Sequence, residues 1–377
     1  MDNSATSYPK PECVIKAVES SMLYSIANPG RSSHKQAVKT ASSVFKAREV
    51  LSTFVNTSPE NIVFTYNATY ALNMAIFGAV RSGDRVVTSI FEHNSVLRPL
   101  WSLENNKGIR LSFLNQTTDD TNVLAEQFKA LVKSKEKPDV LVLTHTSNVT
   151  GAKLPVRTIG KVCQKYGITF ILDASQGLGT SRVDMEKDCV DILCASGHKG
   201  LYGIMGSGFL AVSKSFSGKI SPLIFGGTGI FSKDTSMPSS LPERLEAGTV
   251  GVVGIESMRA GVEYINKVTP EALQDKCHRA RVRLSEGLSV IRGVNLFSPN
   301  VDSTSIVLFN MTDVSSEKVA LMLDEYDIAC RSGFHCAPLI HEALGTGGAV
   351  RLSVGAFNTL DECDKTLLAI EEIAKRV

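Results

Sequence analysis

The feature that most restricts the fold is an alternation running from Asn61 to about Leu210. Short β-rich runs (NIVFTY, DRVVTSI, DVLVLTH, ITFILDA, DILCAS and GSGFLAV) are separated by stretches with helical spacing of apolar residues, such as ALNMAIFGAV and TIGKVCQKYG. Several runs are apolar on both faces, so helices must cover both sides of the sheet they form. That pattern predicts an α/β class fold with a large, mainly parallel sheet covered by helices. A Gly/Ser/Pro-rich stretch from Phe225 to Pro242 breaks the alternation and is expected to be an irregular active-site or interface segment. Beyond Val250, a long helical region, the run STSIVLFN, an amphipathic helix and a closing helix from Asp361 predict a smaller α+β domain.

A length of 377 residues suits this two-domain division. Forty basic against thirty-eight acidic side chains leave a formal charge of +2, which gives no reason to expect nucleic acid or an anionic membrane as partner. No apolar run reaches membrane-spanning length, and MDNSATSYPKPE lacks the apolar core of a signal peptide, so a cytoplasmic location is expected. The eight cysteines, at 13, 163, 189, 194, 277, 330, 336 and 363, include no CxxC and no zinc-site spacing with histidine. Seven of them read as small core hydrophobes; Cys336 is set apart below.

In sheets of this kind ligands gather outside the carboxyl ends of the strands. Polar residues here sit just after the expected strands: Asn67 and Thr69 after NIVFTY, His93 after DRVVTSI, Asn148 after DVLVLTH, Asp173 and Gln176 at the end of ITFILDASQ, and His198 and Lys199 after DILCASG. Asp173 closes an apolar strand, and a buried carboxylate needs a cation or strong donors. Pyridoxal 5′-phosphate (PLP) requires such a carboxylate to keep its ring nitrogen protonated; capping the next turn is the simpler role, and strand position alone favours it. Lys199, in SGHKGLYG, follows an apolar strand, where desolvation lowers a lysine's pKa and readies its amine for a Schiff base. A solvated loop lysine is the commoner fate. Asn67-Ala68-Thr69 joins a strand to a helix, a place where free amides attract phosphate, although simple helix capping accounts for it as well.

Taken in order, DNSATSYPKPE, NPGRSSH, FEHNS, SNVTG, DASQ, SGHKGLYG, RLEAGT, RSGFHCAP and VRLSVGAFNT resemble the PLP-dependent class V aminotransferase superfamily, within its cysteine desulfurase group of the short cysteine-loop type. The match runs from residue 2 to about 359. It implies PLP-dependent fold type I, with residues 13–255 as the large PLP-binding domain and 1–12 plus 256–377 as the small one carrying the catalytic cysteine and the carboxylate-binding arginine. By this resemblance Lys199 is the Schiff-base lysine, Asp173 the partner of the ring nitrogen, and His93 the histidine that stacks on the ring and shuttles protons. Gln176 would bond the cofactor's phenolic oxygen, and Asn148 that oxygen and the substrate. Ala68 belongs to the cofactor-binding turn; Thr69, Ser196 and His198 match phosphate ligands. Thr249 corresponds to a residue reaching the other subunit's phosphate, which implies a homodimer. Arg351 matches the arginine for the substrate carboxylate, and Cys336 the nucleophile that takes sulfur from L-cysteine, leaving alanine and a persulfide for an acceptor protein. Tyr70, Met205 and Phe334 depart from residues common in relatives (Glu, a polar residue and His, respectively).

Two other readings stay open at this level. The chain could act as a selenocysteine lyase or as another class V aminotransferase or lyase on a small amino acid, since the fold alone does not decide. It could also be a non-catalytic PLP-fold partner in a sulfur-transfer assembly; the presence of Lys199, Asp173, Arg351 and Cys336 together speaks against that.

Overall fold

The computed structural model describes residues 1–24, 27–30, 33–115, 120–216, 219–297, 303 and 305–376, so part of the NPGRSSH stretch lies outside the described residues. Helices α1 (Glu12–Tyr24) and α2 (Lys35–Val55) lead into β1 (Ile62–Thr65), α3 (Ala68–Ala79), β2 (Arg85–Ser89), α4 (Asn94–Lys107), β3 (Arg110–Leu114) and α5 (Asn122–Val132). The same layer continues through β4 (Val140–Thr144), α6 (Val156–Tyr166), β5 (Thr169–Asp173), β6 (Ile192–Ser196) and β7 (Gly208–Val212). After an irregular stretch come α7 (Val252–Val268), α8 (Pro270–Ser289), β8 (Val294–Phe297), β9 (Ile306–Met311), α9 (Ser316–Asp324), α10 (Pro338–Leu344), β10 (Val350–Ser353) and α11 (Leu360–Arg376).

Among the described residues the large sheet has seven strands in the order β1-β7-β6-β5-β4-β2-β3. The pairs β2/β3, β2/β4, β4/β5 and β5/β6 are parallel, and β7 runs antiparallel to both its neighbours. All six expected runs form strands. The strand at β3 was not anticipated: it lies at the sheet edge and its first residues alternate between exposed and half-buried, so it lacks the doubly apolar signature of the others. The period of two along each strand sends alternate side chains to opposite faces. Val63, Val86, Val142, Ile171 and Leu210 join α3 and α4 in one core; Phe64, Val87, Leu143, Leu172 and Phe209 join α2, α5, α6 and α7 in the other. The second core runs on without a break into a three-stranded antiparallel sheet of order β10-β9-β8, through Val307, Phe309, Val350 and Leu352.

The topology brings the carboxyl ends of β1, β2, β4, β5 and β6 to one rim, because two antiparallel steps through β7 restore the direction of β1. Register sets Thr144 opposite Asp173, and both Thr65 and Ser196 opposite Gly208. At Gly208 a side chain would collide with the Asn67 backbone, the Cβ lying 2.8 Å from its carbonyl carbon, so glycine is what lets the β1–α3 turn close down on the end of β6. An N-terminal arm crosses from one sheet to the other. Asp2 bridges Ser353 at the edge of β10, while the His198 carbonyl accepts from Ser7 N and from Lys10 Nζ at 2.9 Å. Among the described residues no helix is long and apolar enough to cross a membrane.

Candidate active site

A cavity of about 100 Å³ opens at that rim, and Asn67, Ala68, Thr69, His93, Asn148, Asp173, Gln176, Ser196, His198 and Lys199 all line it. Larger depressions elsewhere on the surface contain none of these groups. Each wall residue is held by its local element. Asn67 caps α3, its side chain accepting from Tyr70 N at 2.9 Å, and the Ala68 and Thr69 amides belong to the first turn, which has no intrahelical partner. His93 caps α4 by accepting from Ser95 N at 3.0 Å. Ser95 Oγ links the two caps, 2.9 Å from His93 Nδ1 and 2.7 Å from Thr69 Oγ1.

On the floor, Asp173 is buried and its Oδ1 accepts from Ser175 N at 3.0 Å and from Ser175 Oγ. Gln176 Nε2 donates to the Ser4 carbonyl at 3.1 Å, so the N-terminal arm backs the wall that Gln176 forms. Lys199 keeps part of its surface exposed, yet burial around its amine lowers the pKa to about 8 against the raising effect of Asp173, with Arg351 and Arg331 acting in the same sense as burial. Desolvation also holds His93 and His198 neutral, each with its pKa lowered to about 4, and the nearby Lys199 charge reinforces this for both.

Two expected residues lie just beyond this cavity lining. Cys336 is half-buried in the turn before α10; its carbonyl accepts from Asn94 N at 2.7 Å, which seats the cysteine turn on the residue next to His93. Arg351, on β10, is fully buried, its Nη1 donating to the Asn148 carbonyl at 2.8 Å and its Nη2 to Asp2 Oδ1 at 2.9 Å. Asn148 Nδ2 is spent on the His335 carbonyl at 2.7 Å, so Asn148 presents Oδ1, a buried acceptor with no partner among the described residues. Thr249 stands apart. It is exposed, bonds Asn28 Nδ2 at 3.3 Å, and lines a different depression with Tyr66 and Tyr70.

Three site residues escaped the sequence reading. Arg331 lies five positions before Cys336, and its Nη2 is 3.4 Å from the Cys336 sulfur; the RSGFHC motif contains it, and a guanidinium so close in sequence to a lone reactive thiol was a usable signal. Asp2 sits inside the DNSATS motif but pairs with a residue 349 positions away, and nothing local marks that. Glu92, fully buried behind His93, accepts from Ser89 Oγ at 2.6 Å and from Thr144 N at 3.0 Å.

The site is thus a desolvated lysine and a buried carboxylate on the carboxyl rim of a mainly parallel sheet that is joined to a small antiparallel one. The Aminotransferase class-V family model matches residues 1–366, and the chain belongs to that family. Its relatives include a probable cysteine desulfurase of Pyrococcus abyssi, 33% identical with 99% of this chain and 94% of the relative covered, and one of Methanothermobacter thermautotrophicus, 30% identical with 99% and 94% covered. Among solved structures, the apo cysteine desulfurase of Thermococcus onnurineus superposes with a TM-score of 0.90 at 29% identity, covering 100% of this chain and 94% of the other. The Escherichia coli cysteine desulfurase CsdA gives 0.88 at 25% identity, with the same coverage.

Proposed function

We propose that the protein is a cytoplasmic, PLP-dependent cysteine desulfurase that converts L-cysteine to L-alanine and passes the sulfur, as a persulfide on Cys336, to an acceptor. The observation that carries this is the seating of the Cys336 turn against Asn94, beside His93 at the mouth of the Lys199 cavity, with Arg331 at the sulfur.

The cavity suits the cofactor. Lys199 offers an amine driven toward neutrality to link an aldehyde, and Asp173 a fixed carboxylate for a protonated ring nitrogen. Buried His198 Nδ1 and Asn148 Oδ1 have no partner among the described residues, as polar atoms waiting for a ligand would. Thr69, Ser196, His198 and the first amides of α3 would take the phosphate, Gln176 the phenolic oxygen and His93 the ring face. Bound PLP supplies an electron sink for charge at the substrate Cα.

Arg351 would hold the substrate carboxylate with the planar fork that suits two oxygens, and the Lys199 amine would carry the proton at Cα. Cys336 acts as thiolate, the nucleophilic form of cysteine, and Arg331 Nη2 lies 3.4 Å from its sulfur. Its sulfur attacks the substrate sulfur; the S–S bond forms as the Cβ–S bond breaks, the electron pair stays with the substrate carbon, and protonation there gives alanine. The large unit, 13–255, holds the cofactor, and 1–12 with 256–377 brings Cys336 and Arg351 to it. Thr249, exposed and outside its own chain's cavity, reaches the phosphate of a second subunit in a homodimer.

Purified enzyme mixed rapidly with L-cysteine is expected to release one equivalent of alanine per site in a burst, then to turn over slowly unless a thiol reductant or docking acceptor removes the persulfide. Cys336→Ala is expected to abolish the burst and the persulfide. A Cys336→Ala enzyme that makes alanine from cysteine at the wild-type rate overturns the proposal, as does pyridoxamine phosphate with a keto acid as the main products.

A further inference from the structure

His335 and Cys336 are consecutive non-glycine residues in the left-handed region, with φ of 50° and 57°. Such a pair persists only where its surroundings over-determine it. The carbonyls of both residues are pinned, by Asn148 Nδ2 and Asn94 N, but these bonds hold the turn only from the side of the large sheet. From the other side the turn rests on the ring of His335, which is buried and stacked on the equally buried ring of His341 in α10, centroids 5.2 Å apart and planes 20° from parallel.

The hydrogen bonds around these rings admit one proton arrangement. His335 Nε2 lies 3.2 Å from the Arg331 carbonyl, which can only accept, so Nε2 carries the hydrogen. The neutral ring then has a bare Nδ1, which must accept from His341 Nε2 at 3.0 Å. His341 Nδ1 is bare in turn and accepts from the Thr346 hydroxyl at 2.6 Å, while the Thr346 oxygen accepts from Gly348 N at 3.3 Å. Burial is the main cause lowering both histidines, to about 3 and about 4, which agrees with two neutral rings. The chain of bonds ends on the Arg331 carbonyl, and that carbonyl also accepts from Arg351 N at 2.8 Å. One oxygen therefore joins the relay to the backbone of both arginines, and Arg331 reaches the Cys336 sulfur.

We infer that His341, oriented by Thr346, is a positioning residue that fixes the Cys336 turn and Arg331 through His335 for attack on the substrate sulfur. It is not among the residues that line the Lys199 cavity. The inference rests on the reading of Cys336 as nucleophile and adds the element that holds it. Its expected signature is a split between two half-steps. Exchange of the Cα hydrogen of L-alanine needs the Lys199 cavity but not Cys336, whereas persulfide formation needs both.

The test compares wild-type holoenzyme with His341→Ala, His341→Gln, Thr346→Val and Thr346→Ser. His341→Ala and Thr346→Val are expected to slow single-turnover persulfide formation roughly ten- to hundred-fold, the size of loss that small misplacement of a reacting group brings, while Cα exchange in deuterated water stays at the wild-type rate. His341→Gln, which restores a donor toward His335, and Thr346→Ser, which restores the hydroxyl, are expected to recover most of the loss. Iodoacetamide labelling of the Cys336 peptide, at a pH that ionises the thiol in every form, is expected to be several-fold faster in the two disabling variants because the turn has loosened. Equal loss of both half-steps, or persulfide formation and labelling unchanged in both disabling variants, overturns the inference. Should His341→Ala fail to fold, the Thr346 pair decides alone. A wild-type enzyme that forms no persulfide overturns the desulfurase reading instead, and labelling still decides whether His341 holds the turn.

Discussion

Burial drives both Lys199 and Glu92 toward their neutral forms, the lysine lowered to about 8 and the glutamic acid raised to about 8. Neutral amine is what adds to an aldehyde, so the rate at which apoprotein takes up PLP is expected to climb with pH and level off above about pH 8; a rate flat between about pH 6 and about pH 9 contradicts this. Borohydride reduction followed by peptide mass spectrometry is expected to fix the cofactor on Lys199 in the wild type and nowhere in Lys199→Ala. For Glu92 the linkage has the opposite sense from an ordinary carboxylate. Between the unperturbed 4.5 and about 8 the folded chain keeps a proton that the unfolded chain has released. The group's contribution to stability therefore falls as pH rises through that window, by about 1.4 kcal/mol per unit. Glu92→Gln keeps the neutral shape without the proton, and its melting temperature is expected to drop less than the wild type's between about pH 5 and about pH 8. Parallel melting curves for the two proteins would show that Glu92 is ionised in the fold.

The N-terminal arm acts as an element although it is neither helix nor strand. Ser4 closes the Gln176 wall, and Asp2 neutralises Arg351. Asp2→Ala would leave a buried guanidinium without its counter-charge; because Asp2 keeps 26% of its side-chain surface exposed, the expected cost is about 2 kcal/mol, below that of breaking a fully buried pair. A substrate carboxylate would then supply the missing charge, so L-alanine is expected to raise the melting temperature of Asp2→Ala more than that of the wild type. Equal increments mean that Arg351 does not hold the carboxylate. What could be read from sequence follows the same division between local and remote. The strands β1, β2 and β4–β7 were legible because both faces are apolar, and the rim because its polar residues directly follow them. Arg331 has a signal in its own RSGFHC motif, whereas its bridge to Arg351 and the meeting of His335 with His341 depend on how β10 and α10 fold against the turn. No residue pattern within either segment announces those contacts.

On the scale of the whole molecule, the surface carries apolar side chains that a lone subunit would leave wet: Met22, Leu23 and Tyr24 at the end of α1, Val38 and Phe45 on α2, and Phe225 and Phe231 in the irregular stretch tied to Gly248, beside Thr249. Covering them in a homodimer is the economical explanation. Sedimentation is expected to show a dimer, and Phe225→Asp with Phe231→Asp to shift it toward monomer with weakened retention of PLP. A fully active monomer sinks both the dimer and the role of Thr249. The arm that joins the two sheets has one more consequence, in the order in which the chain is made. The strands of the cavity, β1 to β7, are complete by residue 212, and domains commonly fold as units while synthesis continues. Asp2, however, meets Arg351 across 349 positions, and Ser353 supplies the edge it lies on. Asp2 precedes every strand of the cavity and its partners on β10 follow all of them, so this end of the arm comes to rest only after the small sheet has formed.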